Sequence, residues 1–106
     1  MPPQDILFRV KTPLGFSVYV SVTYWHVITT IKHPVIAGRE ASVQDTLAHP
    51  DKAPVSRSDS AVYLFYKLER PGRWICAVAK RLDGEAFLIT AYPTDAIKEG
   101  ARIWPK

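Results

Sequence analysis

The stretch Phe87-Leu-Ile-Thr-Ala-Tyr-Pro-Thr-Asp95 decides the fold of this chain, because it is a strand-like run that carries polar groups where its apolar part ends. Successive side chains of a strand point to opposite faces of a sheet. Thr90 and Tyr92 would therefore lie side by side, and their two hydroxyl groups suit a phosphate ligand but are also common in ordinary strands. The alternation divides the run into one face with Leu88, Thr90 and Tyr92 and another with Phe87, Ile89 and Ala91.

The run is predicted to be the last strand of an antiparallel sheet. Strands are predicted at residues 62–68, 74–82 and 86–92, and the turn formers Pro71-Gly72 and Asp83-Gly84 join them. Helices are expected on one face of this sheet, so the fold class is α+β.

Counting back from the second turn predicts which residues face one another. The count pairs Ala77 with Thr90. It also pairs Ile75 with Tyr92 and brings Tyr66 opposite Ala77. Thr90, Tyr92 and Tyr66 are therefore predicted to share a face above a floor of alanines, unless a bulge reverses part of this register. The face under the helices is predicted to carry Phe65, Trp74, Val78, Phe87 and Ile89.

The N-terminal part is predicted to form a β-hairpin. Residues 6–11 and 16–22 have the composition of its two strands, and Thr12-Pro-Leu-Gly15 supplies the turn. The second strand alternates cleanly, which indicates one buried and one wetter face. The buried face is predicted to carry Phe16, Val18, Val20 and Val22.

Two short helices are predicted after the hairpin. Thr23 is expected to cap the first, at residues 24–32, and His33-Pro34 ends it because a residue before proline is disfavoured in the α region. The second helix is predicted at residues 40–48 and ends at His49-Pro50, after which residues 50–60 are predicted to be a loop or an irregular edge. A single helical turn is predicted at residues 94–100. The apolar side of the first helix is predicted to consist of Tyr24, Val27, Ile28 and Ile31.

Length and composition fit one compact domain over residues 1–106. No apolar run approaches the ~20 residues needed to cross a bilayer, and the N-terminus lacks the features of a signal peptide, so a soluble cytoplasmic protein without membrane contact is expected. Fourteen Lys and Arg against ten Asp and Glu give a net charge of +4, which favours an anionic partner. The single cysteine, Cys76, is predicted to be a small buried residue.

The usual signatures of metal and cofactor chemistry are missing. There is no glycine-rich phosphate loop, no pair of Cys or His at zinc spacing and no G-x-S-x-G motif, so neither a metal site nor a cofactor is predicted. Ser56-Arg57-Ser58-Asp59 groups a guanidinium with short hydrogen-bonding side chains. This cluster fits an anion site, and equally a loop braced by a pair between Arg57 and Asp59.

The remaining polar residues, His, Arg, Tyr and Thr on a basic chain, suit the cleavage of RNA without a metal. The 2′-hydroxyl of RNA can attack the adjacent phosphate if one group accepts its proton and another protonates the leaving oxygen. Cations or hydroxyl groups must also hold the phosphate. Histidine suits either proton-transfer role.

The order of the motifs resembles small bacterial and phage proteins of the barnase, EndoU, colicin and RelE-like ribonuclease fold, also called the BECR fold. The resemblance spans nearly the whole chain, from about Arg9 to Trp104. It implies helices on one face of an antiparallel sheet with RNA on or beside the other, metal-independent RNase activity, and often a toxin held by an antitoxin. The motifs that carry it are Lys32-His33-Pro34, Ser56-Arg57-Ser58-Asp59, Val62-Tyr-Leu-Phe-Tyr66, Cys76-Ala-Val78 and Phe87-Leu-Ile-Thr-Ala-Tyr-Pro-Thr94.

The resemblance also implies which residues form the site. It points to His33 at the helix end, Arg57 in the loop, and Thr90 and Tyr92 on the last strand. His26 is a weaker candidate, because related helices carry a histidine near this turn at a different offset. Tyr66 is a further weaker candidate through its predicted place beside Thr90 and Tyr92.

Three hypotheses for function stay open at this point. The first is a toxin-like ribonuclease in which His33 is general acid or base, Arg57 holds the phosphate, and Thr90 and Tyr92 stabilise its charge. The second is a non-catalytic RNA- or ribosome-binding module, held by many cations rather than by one histidine. The third is a protein-interaction subunit that binds an antitoxin or a second copy of itself. Its surface would be a patch of Tyr66, Tyr92 and Trp104.

Overall fold

A computed structural model describes residues 5–97 and the backbone of residues 101–104. Its strands are β1 (Ile6–Lys11), β2 (Ser17–Ser21), β3 (Ala53–Val55), β4 (Val62–Arg70), β5 (Arg73–Leu82), β6 (Glu85–Thr94) and β7 (Ala101–Trp104). Its helices are α1 (Val22–Val27), a π-helix (Ile28–Lys32), a 3-10 turn (Pro34–Ile36) and α2 (Glu40–Ala48). The strands form one sheet in the order β1-β2-β6-β5-β4-β3-β7. Its described strand pairs are antiparallel except for the parallel pair of β2 and β6.

This architecture confirms the predicted α+β class, with a β-hairpin first, helices next and a mostly antiparallel sheet after them. Within the described residues, none of the helices has the length and apolar character that a membrane span requires. Of the two alternatives predicted for residues 50–60, the irregular edge is found at Ala53–Val55, which pairs with both β4 and β7. Part of the predicted helical turn at residues 94–100 falls outside the described residues, and Thr94 itself ends β6.

Helix α1 begins earlier than predicted. The side chain of Ser21, rather than Thr23, caps it by accepting a hydrogen bond from the Tyr24 N–H at 3.0 Å. Val22 is therefore the first helical residue and is exposed, instead of continuing the buried face of β2. The early start turns Trp25 into the core, where its ring meets the edge of Phe8 at 5.9 Å between centroids.

The π-helix changes which side chains reach the core. The His33 N–H donates to the Ile28 carbonyl five residues back, at 2.8 Å, so this turn is wider than an α-helical turn. Ile28 stays buried, whereas Ile31 is 77% exposed, so the predicted apolar side was wrong at Ile31. The helical segment ends at the predicted His33-Pro34 pair, and α2 occupies the predicted residues 40–48 with Val43 and Leu47 buried.

Strand β6 contains one extra residue, Ile89. Its pairing with β5 follows the predicted register from the turn as far as Leu88. Thr90 then pairs with Val78 rather than with Ala77, so Ile89 is the unpaired residue of a β-bulge. Because side chains alternate with a period of two, one inserted residue reverses the facing of everything that follows it relative to everything before it.

The bulge brings Phe87 onto the same face as Thr90 and Tyr92. These residues pair with Lys80, Val78 and Cys76, which are alternate residues of β5. We call the face that they share the outer face, because the helices pack on the other side of the sheet. Three predictions were wrong because the helices cover the face of β5 that carries Ala77 and Ala79: Phe87, Trp74 and Val78 do not lie under the helices. The outer face of β4 to β6 carries Leu64, Tyr66, Trp74, Cys76, Val78, Lys80, Phe87, Thr90 and Tyr92.

The helices cover the opposite face, which forms the main core. The alanines that were predicted to floor the site, Ala77 and Ala79, are buried there, and Leu88 lies beside them. Small side chains at this position let helix backbone approach the sheet closely. The outer face instead has a smaller buried cluster of Leu64, Tyr66 and Cys76. The prediction that Cys76 is buried is therefore confirmed.

The main core should tolerate truncation far less than the exposed end of β5. We expect Leu47→Ala to lower the free energy of unfolding by about 2–5 kcal/mol, because it removes buried methyl groups and leaves a cavity. Leu82→Ala is the matched control, since Leu82 is 54% exposed and should change the value by about 0.5 kcal/mol or less. Urea unfolding monitored by circular dichroism measures both. Equal losses in the two variants would contradict the assigned core.

Candidate functional site

Four residues from three separate parts of the chain meet at one end of the outer face. Arg57, Thr90 and Tyr92 line a single cavity of about 440 Å³. His33 contacts the rim of this cavity, because its ring stacks on that of Tyr92 with 4.9 Å between centroids and a 37° tilt. The four main residues predicted for the site are therefore neighbours. The rest of the cavity lining is Ser56, Ser58, Val62, Leu64 and Val78.

His33 reaches Tyr92 because the sheet splits beside β6. Strand β2 pairs with β6 at Val18 and Tyr19, and no strand of the described residues lies beside the C-terminal half of β6 on that side. The π-helix and the 3-10 turn lie along this half instead. His33 joins these two segments, so its backbone is held at the strand edge.

The bulge residue anchors the helical segment to this edge. The Ile89 carbonyl accepts hydrogen bonds from the Tyr24 hydroxyl at 3.0 Å and from Lys32 Nζ at 3.2 Å. Lys32 Nζ also donates to the Tyr24 hydroxyl at 2.9 Å. The Ile89 carbonyl, the Tyr24 hydroxyl and Lys32 Nζ are thus all hydrogen-bonded to one another. Lys32 precedes His33 in the chain, and Ile89 precedes Thr90. The bulge therefore fixes the distance between the helix end and the strand hydroxyls.

Tyr92 rests on a polar, buried base. It pairs across the sheet with Cys76, which pairs in turn with Tyr66 on β4. Burial raises the pKa of the Tyr92 hydroxyl, and the adjacent Cys76 and Tyr66 side chains raise it further. The hydroxyl therefore keeps its proton at neutral pH and can donate a hydrogen bond to an anion.

Thr90 supplies a second hydroxyl to the cavity. Its Oγ1 is buried and has no hydrogen-bond partner among the described residues. Buried hydroxyl groups nearly always have a partner, so Thr90 Oγ1 has an unused hydrogen-bonding capacity beside the cavity. Thr90 and Tyr92 both line the cavity from one face of β6, as the alternation of the strand predicted.

Arg57 is carried by a loop that is tied to the sheet. Asp59 Oδ2 lies 3.1 Å from Lys80 Nζ on β5, and Asp59 Oδ1 accepts from the Ala61 N–H at 2.9 Å. The Ala61 N–H and Lys80 hold the pKa of the Asp59 carboxyl below its usual value. The hydroxyl groups of Ser56 and Ser58 lie 3.1 Å apart at the base of the same loop.

The other predicted residues lie in different settings. His26 is exposed on α1 and is not among the residues that line the cavity. Tyr66 is fully buried next to Cys76, so it supports Tyr92 from beneath rather than lining the cavity. The side chain of Trp104 lies outside the described part of the chain.

Sequence reasoning missed Lys32 and Lys80 as contributors to this site. No motif distinguishes either lysine from the other surface cations. The position of Lys32 depends on the bulge at Ile89, and that of Lys80 depends on its pairing with Asp59. In the part of the chain that the structure describes, no three His, Cys, Asp or Glu side chains lie close enough together to hold a metal ion.

The environment of Tyr92 predicts a shift in its titration. Tyr92 should stay protonated in the folded protein up to about pH 11. In a pH titration to that value, we therefore expect Tyr92→Phe and the unchanged protein to show the same rise in tyrosinate absorbance. The unfolded chain does ionise this tyrosine near pH 10, so stability should fall as pH rises above that value. A smaller absorbance rise in the variant would show that Tyr92 ionises in its ordinary range.

The brace on the Arg57 loop predicts a difference between two substitutions of Asp59. Asp59→Ala removes the acceptor for the Ala61 N–H and should speed exchange of that amide severalfold. Asp59→Asn keeps an acceptor oxygen and should speed it less. In the unchanged protein the brace should persist above the usual carboxyl pKa of 3.8 and be lost as pH falls through the lowered value. Amide exchange followed by NMR measures this, and unchanged exchange in Asp59→Ala would contradict the brace.

Comparisons with protein families, curated proteins and solved structures found no match to this chain. Any assignment of function therefore depends on the chemistry of its own residues. These residues amount to a basic cavity with an imidazole at its rim, a guanidinium on a braced loop and two hydroxyls on a bulged strand.

Proposed function

We propose that this chain is a metal-independent, toxin-like ribonuclease that cleaves RNA through attack by its 2′-hydroxyl. The observation that carries the proposal is the meeting of His33, Arg57, Thr90 and Tyr92, from three separate parts of the chain, around one cavity. This set contains one group for proton transfer, one fixed cation and two hydrogen-bond donors. RNA cleavage without a metal uses these kinds of group, with solvent water as the partner of His33 in the second proton transfer.

Each residue has a role that follows from its setting. Arg57 binds the phosphate oxygens, and the loop brace through Asp59 keeps its backbone in place before substrate arrives. Thr90 Oγ1 and the Tyr92 hydroxyl donate to the oxygen on which charge develops. Stacking on Tyr92 fixes the plane of the His33 imidazole, which exchanges protons with the reacting oxygens.

The reaction balances with these groups and solvent water, because His33 carries out one of the two proton transfers and water carries out the other. The 2′-oxygen forms a bond to phosphorus as it loses its proton, and the bond from phosphorus to the 5′-oxygen breaks as that oxygen gains one. The products are a 2′,3′-cyclic phosphate and a 5′-hydroxyl end. His33 acts as general acid or base in this exchange. No metal is needed, because Arg57 and the two hydroxyls offset the phosphate charge.

The direct test is RNA cleavage in EDTA. Purified protein is expected to cut tRNA, mRNA or ribosome-bound mRNA and to leave 2′,3′-cyclic phosphate ends. His33→Ala should lower the rate by about 100-fold or more, because general acid–base catalysis contributes on that scale. His26→Ala and His49→Ala are matched controls, since both histidines are exposed and neither lines the cavity, and they should retain the rate.

Two outcomes would contradict the proposal. The first is intact RNA in all three substrates. The second is salt-sensitive binding that survives His33→Ala without cleavage, which would identify a non-catalytic RNA-binding module. Expression in bacterial cells tests whether the protein is toxin-like. Expression of the unchanged protein should arrest growth, and His33→Ala should relieve the arrest.

A further inference from the structure

A second and larger cavity opens on the outer face beside the site. It measures about 670 Å³ and lies where β2 separates from β6. Three aromatic side chains line it: Tyr19 of β2, Phe87 of β6 and Tyr24 of α1. Tyr19 and Phe87 are direct neighbours in the β2–β6 pair, and both are part-exposed. Neighbouring, part-exposed rings on a sheet face are a surface on which a planar ligand can stack.

The charges around this cavity favour a nucleobase over a bare phosphate. Glu85 lines it, and a carboxylate repels phosphate but accepts hydrogen bonds from base amino groups. Arg9 holds Glu85 in place with Nε to Oε2 at 2.8 Å, and its guanidinium lies 5.7 Å from the centroid of the Tyr19 ring. The cavity thus combines aromatic walls with a guanidinium and a carboxylate at its rim, which are paired with each other.

The two cavities are joined along β6. Phe87 lines the larger cavity and Thr90 the smaller, and they are at most about 10 Å apart along the strand. The bulge at Ile89 is what puts both on the outer face. This separation matches the reach of a nucleotide from its base to its phosphate.

Lys32 marks the path between the cavities. Its ammonium sits at the Ile89 carbonyl, between the positions of Phe87 and Thr90, and donates to two uncharged oxygens, those of Ile89 and Tyr24. Its positive charge is therefore available to a phosphate on this path.

We propose that the cavity formed by Tyr19, Tyr24 and Phe87 holds a base of single-stranded RNA, next to the phosphate bound at Arg57. The inference rests on the proposed ribonuclease function for the identity of the ligand, and it adds the form of the substrate. Double-stranded RNA keeps its bases stacked on one another and cannot enter the cavity. The subsite therefore selects unpaired segments.

Binding of two labelled RNAs tests this subsite. One is a single-stranded hexanucleotide, and the other has the same phosphates and sugars but abasic internal positions. The unchanged protein should bind the natural strand about tenfold more tightly or better, because stacking of a base on an aromatic ring has this magnitude. Phe87→Ala and Tyr19→Ala should remove most of that preference, whereas Tyr19→Phe should keep it.

The controls separate loss of stacking from loss of fold. Phe87→Leu keeps an apolar side chain without the ring, so a fully folded Phe87→Leu that loses the preference supports the subsite. Lys32→Gln should weaken the binding of both RNAs to the same extent, because the lysine charge that it removes attracts the phosphate groups that both RNAs share. Two results would overturn the inference. One is a preference for the natural strand that is the same in the unchanged protein and in folded Phe87→Leu, Phe87→Ala and Tyr19→Ala. The other is equal binding of natural and abasic RNA by the unchanged protein.

Cleavage measured in parallel distinguishes the two proposals. A protein that cleaves RNA but shows no base preference retains the ribonuclease function and loses the subsite. A protein that shows the base preference and its loss in Phe87→Leu, yet never cleaves, retains the subsite and loses the chemistry. Absence of any RNA binding would overturn both.

Discussion

The hydrogen bonds to the Ile89 carbonyl are the interaction on which the rest of the site depends. The bulge takes this carbonyl out of the regular ladder with β5, and a polar group left without a partner at that point would cost roughly 1–3 kcal/mol. Tyr24 and Lys32 supply the partners. By doing so they attach the start of α1 and the end of the π-helix to the middle of β6. The position of His33 follows directly from that attachment.

The same bulge produces the surface on both sides of it. Without the extra residue, Phe87 would face away from Thr90 and Tyr92, and the aromatic cavity would open on the other side of the sheet from the proposed phosphate site. With it, one continuous outer face runs from Arg9 and Tyr19 to Tyr92 and Arg57. Bulges occur often beside active sites because they redirect side chains without changing the strand that carries them.

The π-helix serves the site in a related way. A regular α-helix from Val22 would bring the chain to His33 with a different rotation, whereas the wide turn ends with His33 bonded to Ile28 and next to Tyr92. Such wide turns carry a cost and are found most often at functional positions. The exposure of Ile31 is a visible consequence of this turn, since the residue that a regular helix would bury is turned out to solvent.

The sequence by itself determined the hairpin, the ends of both helices, the three long strands and their turns, because these depend on local chemistry: alternation, a proline that stops a helix, and glycine at a tight turn. It also predicted His33, Arg57, Thr90 and Tyr92, from motif resemblance and from the two hydroxyls of one strand. Only the tertiary structure decided the bulge at Ile89, the capping by Ser21 and the positions of Lys32 and Lys80. A bulge leaves no local signal, because the extra residue is stabilised by groups about 60 residues away in sequence, whose arrival depends on the packing of the whole core.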